Sequence, residues 1–299
     1  MSKEEITLEL NCFNPGIIHP GSVCVFIGKR NTGKTFLTKD LLYHQRKIPC
    51  GKVFSETDEL NKEYCTIIPT SFITKTYKSE TIQKIFDTQK EKIEKRIARY
   101  APLNPGLSEK QLIDKFIKPD ISNYAFVLLD DCLADKNWKN DKTIKQIFYN
   151  GRHYNIFFLL TMQIPLGIPP NLRSNIDYVF LTFTNNNQDI EKLFRCYGGA
   201  FRNLEEFKKI LNACTENYNC MVIDNATNSK RFEDKVFYYK AKSHPNFKML
   251  CNNHGNGCLH TNCAAWTYHY DNLRREKRMK TTVSESKNYV HVIKQKQSL

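Results

Sequence analysis

Gly28-Lys29-Arg30-Asn31-Thr32-Gly33-Lys34-Thr35 decides how the rest of the chain is read. It fits G-x-x-x-x-G-K-[ST] at every fixed position, and each of those positions has a physical task. The glycines let the backbone curl until successive N–H groups converge on an anion, and a helix beginning near Gly33 adds its positive end. Lys34 can reach the β- and γ-phosphates of ATP, and the Thr35 hydroxyl can ligate Mg²⁺. Both flanks supply the context that such a loop needs. Residues 22–27 form an apolar run bounded by Pro20-Gly21 and Gly28, which predicts a buried parallel strand. Residues 35–46 carry Phe36, Leu37, Leu41 and Leu42 at helical spacing.

A phosphate loop of this kind needs a carboxylate on a neighbouring strand to hold the metal. Residues 124–129 are apolar and run into Asp130-Asp131, which makes Asp130 the candidate Mg²⁺ ligand. Asp131 is then placed to polarise an attacking water, although a glutamate is more usual there. The same pair can also cap the next helix. Residues 156–161 predict a further strand that ends in Met162-Gln163, where Gln163 can touch a γ-phosphate or the attacking water. One strand, 52–55 after the Pro49-Cys50-Gly51 turn, separates the loop from the acidic pair in sequence. That ordering belongs to the additional-strand P-loop ATPases and not to nucleotide kinases or GTPases.

Working outward, strands alternate with helices. Helices are expected over 81–101 and 108–117, together an insertion over about residues 81–120, and over 142–149, 188–197 and 204–213. A fifth strand is expected at 178–183, and a hairpin at 219–223 and 235–239 joined through 225–229. This alternation implies an α/β fold with a parallel sheet covered on both faces.

The 299 residues carry a net charge of +14. Residues 241–299 hold ten Lys/Arg against three Asp/Glu, so both the tail and the body are basic, which suits a polyanionic partner. No apolar run approaches the roughly 18 residues of a membrane span, and no signal peptide is visible. Most of the eleven cysteines are scattered, as expected of free thiols in a reducing compartment. Cys251, His254, Cys258, His260 and Cys263 instead cluster, and four of them can wrap a tetrahedral Zn²⁺, although their spacing matches no standard finger. The basic stretch Arg274-Arg275-Glu276-Lys277-Arg278-Met279-Lys280 follows, able to grip phosphates or simply be solvated. From residue 273 the chain is expected to be frayed or disordered.

The order of phosphate loop, Asp130-Asp131, Gly151-Arg152-His153-Tyr154-Asn155 and the strand ending at Gln163 resembles the FtsK–HerA superfamily. Within it the chain resembles the DNA-packaging ATPase of poxviruses and other nucleocytoplasmic large DNA viruses. Asn171-Leu172-Arg173-Ser174-Asn175-Ile176-Asp177 and the aromatic strand Val236-Phe237-Tyr238-Tyr239-Lys240-Ala241 agree with it. The resemblance covers roughly residues 15–245 and implies a RecA-like P-loop ATPase core closed by a C-terminal β-hairpin. The domains expected are 1–245, that ATPase core, and 246–299, a Cys/His-rich basic tail. It also implies a homo-oligomeric ring that drives double-stranded DNA into a capsid, with a capsid or portal component as partner. Its expected place is the viral assembly site in the host cytoplasm, or the virion. Matched to Gly-Arg-His, Arg152 becomes a candidate finger for a neighbouring subunit's γ-phosphate; a cation capping a helix C-terminus is the other reading, and Arg173 is the alternative finger. Another P-loop DNA pump, of conjugation or plasmid-mobilisation type, and a nucleotide-switched DNA-binding protein stay open as alternatives.

Overall fold

The computed structural model describes residues 9–132, 138, 140–163, 167–250, 266 and 268–276. In chain order its strands are β1 Asn11–Cys12, β2 Val23–Ile27, β3 Cys50–Ser55, β4 Ile73–Thr74, β5 Ala125–Asp130, β6 Ile156–Met162, β7 Tyr178–Leu181, β8 Cys220–Asp224 and β9 Val236–Tyr239. Its helices are α1 Lys34–His44, α2 Asp58–Asn61, α3 Ser79–Tyr100, α4 Glu109–Leu112, α5 Lys142–Asn150, α6 Pro170–Arg173, α7 Asn187–Tyr197 and α8 Leu204–Cys214.

β2 is buried along its whole length because its side chains alternate between two cores. Val23, Val25 and Ile27 enter a layer built with α3, α5, α7 and α8. Cys24 and Phe26 enter the opposite layer, filled by Leu37, Leu41 and Leu42 of α1 together with Tyr64 and Ile67. The nine strands form one sheet in the order β1-β9-β8-β7-β2-β6-β5-β3-β4. Only β8 runs against its neighbours, β7 and β9; the other pairs are parallel. The expected hairpin is present as β8–β9, with Cys220 opposite Tyr239.

Two local expectations are corrected. The strand carrying Asp130 is not the neighbour of β2, because β6 lies between them and pairs with both. Cys50 and Gly51 belong to β3 and not to a turn. A Cβ on Gly51 would lie 2.3 Å from the Phe126 ring, so glycine is needed there for close packing across the strands. Residues 108–117 divide into α4, with a Ser108–Gln111 capping box, and a wider turn over Ile113–Ile117.

Beyond β9 the chain packs on the α1 face. Met249 is buried there, and the fully buried Trp266 donates from Nε1 to the Met249 carbonyl at 3.0 Å. Residues 268–276 are helical, so the fraying expected from 273 does not hold as far as 276. The buried His269, beside Thr70, helps to anchor that helix. Among the described residues, no helix is long and apolar enough to cross a membrane.

Candidate phosphate site and acidic cleft

The parallel strands end at one edge of the sheet, and their last residues build the site. The register places Ser55 of β3 beside Asp130 of β5, and Asp130 beside Thr161 of β6. Asp130 is 7% exposed, accepting from Thr161 Oγ1 at 2.8 Å on Oδ1 and from Ser55 Oγ at 3.0 Å on Oδ2. Burial pushes its pKa above the ordinary carboxylate value; the Thr161 hydrogen bond opposes this, and the charge of Asp131 adds to it.

The loop after β2 curls as its glycines predict. Gly33 takes φ +88°, a left-handed conformation that opens α1 with its amides facing the cleft. Gly28 is held by contact: a Cβ there would lie 1.7 Å from Thr182 Oγ1. Thr182, just past β7, donates to Thr32 Oγ1 at 2.7 Å, and Thr32 in turn donates to the Lys29 carbonyl at 2.8 Å. Lys29 Nζ donates to Asn185 Oδ1 at 3.3 Å.

Lys34 is buried with its ammonium inside the loop, donating to the carbonyls of Gly28 at 2.8 Å and Lys29 at 2.9 Å. Burial lowers its pKa, while the charges of Asp131 and Asp130 pull the other way. An ammonium has three protons, so one remains for an anion in the cleft. Asp131 lies 3.9 Å from Lys34 Nζ and accepts from Gln163 Nε2 at 2.9 Å. Its backbone sits at φ +49°, held by its own amide donating to Thr161 Oγ1 at 2.9 Å. Positive φ is uncommon outside glycine, although Asp enters that region more readily than most residues, and Asp131 lines the cleft.

These groups share a cavity of about 1400 Å³ with Arg30, Asn31 and Thr35 of the loop. The donor set suits a nucleotide with Mg²⁺: a hydroxyl (Thr35) and a carboxylate (Asp130) are hard oxygen ligands, and the loop offers a buried cation and curled amides. Sequence reading missed Ser55, Thr161 and Thr182, although each is a hydroxyl within one residue of a strand end. It also missed Glu56, one residue past β3, which lines the same cavity.

The two candidate fingers lie elsewhere. Arg152 precedes β6 and pairs with Asp177 at 3.3 Å, and Asp177 also accepts from the Val23 amide at 2.8 Å. Arg152 is therefore at the opposite sheet edge from its own phosphate loop, a seven-residue strand or roughly 20 Å away. Arg173 donates to the Ile168 carbonyl at 2.8 Å and is half-buried. Cys251, His254, Cys258, His260 and Cys263 lie outside the described residues, as do 277–280 of the basic stretch.

A second polar cluster sits on the same helix. The carboxylate of Asp40 is fully buried. Its Oδ2 accepts from the Tyr239 hydroxyl and from the Lys242 amide at 3.1 Å, and its Oδ1 accepts from His244 Nε2 at 2.6 Å. His44 Nε2 stands 3.6 Å from Oδ1, and the Tyr43 ring stacks on His244 at 3.6 Å.

The profile of the family described as Poxvirus A32 protein matches residues 21–243. An uncharacterized protein of Acanthamoeba polyphaga mimivirus is 37% identical over 230 residues, which is 77% of this chain and 75% of that one. An uncharacterized protein of Invertebrate iridescent virus 6 is 34% identical over 222 residues, 74% of this chain and 77% of that one. Among solved structures, the genome packaging NTPase of Sulfolobus turreted icosahedral virus 2 in complex with ATP-gammaS is similar at 13% identity and a TM-score of 0.48, over 75% of this chain and 98% of that one.

Proposed function

The chain belongs to the poxvirus A32 protein family, and from that premise we propose that it is an ATP-driven translocase that packages double-stranded viral DNA into a capsid. The observation that carries the enzymatic part is the convergence of Lys34, Asp130, Asp131 and Gln163 on one cavity at the strand ends. Lys34 donates its remaining proton to the outer phosphates while the loop amides cradle the others. Thr35 and Asp130 are the residues that would hold Mg²⁺, which would supply positive charge against the phosphate oxygens. Asp131, held by Gln163 and facing Lys34, accepts the proton of the attacking water. Gln163 holds that carboxylate from the far side, so loss of the γ-phosphate can be passed to β6 through one hydrogen bond.

Arg152, remote from its own loop, is the group that a neighbouring subunit's site would receive in a homo-oligomeric ring. The net charge of +14 suits sequence-independent contact with DNA phosphates. A capsid or portal component is the further partner, and the assembly site or the virion is the location.

The test is phosphate release with and without double-stranded DNA and with and without a magnesium chelator, beside electron microscopy of the particle formed. DNA-stimulated, chelator-sensitive turnover by a ring is the expected result. Nucleotide binding without turnover would leave a nucleotide-switched DNA-binding protein instead.

A further inference from the structure

The cavity is longer than the phosphates require. From the loop after β2, the acidic end lies toward β6, β5 and β3, where the γ-phosphate would sit if Asp130 and Asp131 act as proposed. The other end lies toward β7, β8 and β9, and it is lined by Phe36, Tyr218, Lys240 and Ala241. The topology accounts for this meeting. β8 alone runs against the sheet, so the segment entering it, Glu216–Tyr218, arrives at the edge where the phosphate loop lies. Because Cys220 is opposite Tyr239, the residues just before β8 stand beside those just after β9, which brings Tyr218 next to Lys240 and Ala241.

Tyr218 is 75% exposed and Phe36, two positions after Lys34, is 46% exposed. Two large rings at this end of the cavity leave apolar surface open to solvent. The backbone adds an independent sign. Asn217 and Tyr218 both sit in the left-handed region, at φ +53° and +62°. A bulky residue there is a genuine outlier, and strain of this kind gathers at ligand-binding segments.

We propose that the purine base of the bound nucleotide stacks on the Tyr218 ring, with Phe36 covering its other side and Lys240–Ala241 forming the rim. The proposal rests on the nucleotide reading of the loop and assigns the part of the cavity which that reading leaves empty. Stacking on an aromatic side chain is the interaction every base can make, and its loss on alanine substitution amounts to roughly tenfold or more in affinity.

The test compares two probes, ATP and inorganic tripolyphosphate, by calorimetric titration of the full chain in the presence of Mg²⁺. Tyr218→Ala should weaken ATP binding about tenfold and leave tripolyphosphate binding unchanged. Tyr218→Phe, which keeps the ring, should bind ATP as the parent does. Phe36→Ala should act in the same direction as Tyr218→Ala. Equal weakening of both probes, or unchanged ATP affinity in Tyr218→Ala, would overturn the subsite while leaving the phosphate site standing. A parent protein that binds neither probe would overturn the phosphate reading and this subsite with it. Because Tyr218 is largely in solvent, its substitution does not disturb the core, and unchanged tripolyphosphate binding confirms that the variant is folded.

Discussion

Two buried aspartates, one ending β5 near the start of helix α1 and one within that helix, are satisfied in different ways. Asp130, near the first turn, accepts from two hydroxyls and opens on one side to the cleft, with the Lys34 ammonium close enough to act on its charge. Asp40, within the helix, accepts from a phenol, a backbone amide and an imidazole, all supplied by the chain at the end of β9 and just beyond it. Hydroxyls rotate, and an ionised carboxylate has about four acceptor positions, so Asp130 keeps capacity for a ligand. Asp40 instead uses three of those positions to clasp the C-terminal segment to α1. The first arrangement costs stability and serves chemistry; the second contributes stability and serves shape.

The largest expected effect is at the first site. Lys34→Ala should abolish turnover while the protein remains folded, since it removes the cleft's buried cation and no apolar packing. Phosphate release near the parent rate by a folded variant would break the comparison. Asp131→Asn should bind ATP and fail to hydrolyse it, and turnover that persists would move the base to Glu56. Arg152→Ala should lower turnover by a factor on the order of 10³ or more if the arginine acts in trans. Mixing those chains with Lys34→Ala chains should then restore part of it, because each variant supplies what the other lacks. Full activity of an oligomeric Arg152→Ala protein would move the finger to Arg173.

The clasp should answer in stability. Asp40→Ala leaves the Tyr239 hydroxyl, the Lys242 amide and the His244 imidazole without their acceptor, at about 1–3 kcal/mol for each donor that stays buried. A loss of roughly 3 kcal/mol or more in denaturant unfolding is the expected outcome. Lys240 and Ala241 lie between two clasped residues, so ATP affinity should fall more than tripolyphosphate affinity. A variant as stable as the parent would show that solvent satisfies those donors.

The first aspartate was legible in the sequence and the second was not, for a physical reason. Asp130 ends a continuous apolar run and answers a local motif; Gly28 to Thr35, Asp131 and Gln163 are local in the same sense. The strands themselves could be located from apolar runs bounded by turn residues. Their order could not, since β6 enters between β2 and β5 by pairings far apart in the chain. Asp40 is one polar residue in a helix, and its meaning comes from residues about 200 positions later. Tyr218 was hidden likewise, because only the reversal of β8 brings it to the cleft.

The smallest effect separates Asp130 from His44, the imidazole beside Asp40, by its sign with pH. Burial is the main cause that lowers the pKa of His44 beneath its ordinary 6.5; the charge of Asp40 opposes it, and His244, Arg46 and Lys242 reinforce it. Between about pH 6.5 and that lower value the unfolded chain takes up a proton that the folded chain refuses, so stability falls as the solution is acidified. His19 and His269 also have lowered pKa values and contribute with the same sign. For His19 the main cause is desolvation, then the charge of Lys118, with Asp177 opposing them. For His269 the causes are burial first, then the charges of Lys248 and Lys62, with Glu276 opposing them. Asp130 runs the other way. Its folded pKa is raised, so its contribution is fullest below the ordinary 3.8 and is lost as pH rises through the raised value. At neutral pH it stands as a net cost. Asp130→Asn should therefore stop hydrolysis yet raise the melting temperature at pH 7, by something on the order of 2 °C for each kcal/mol relieved. That gain should shrink toward about pH 4. His44→Gln should show a shallower loss of melting temperature than the parent between about pH 7 and 5.5, with the remainder carried by His19 and His269. The imidazole is partly in solvent, so screening keeps this difference well under about 1 kcal/mol. Two variants whose melting temperatures shifted with pH in the same direction would mean that burial does not act with opposite sign on Asp130 and His44.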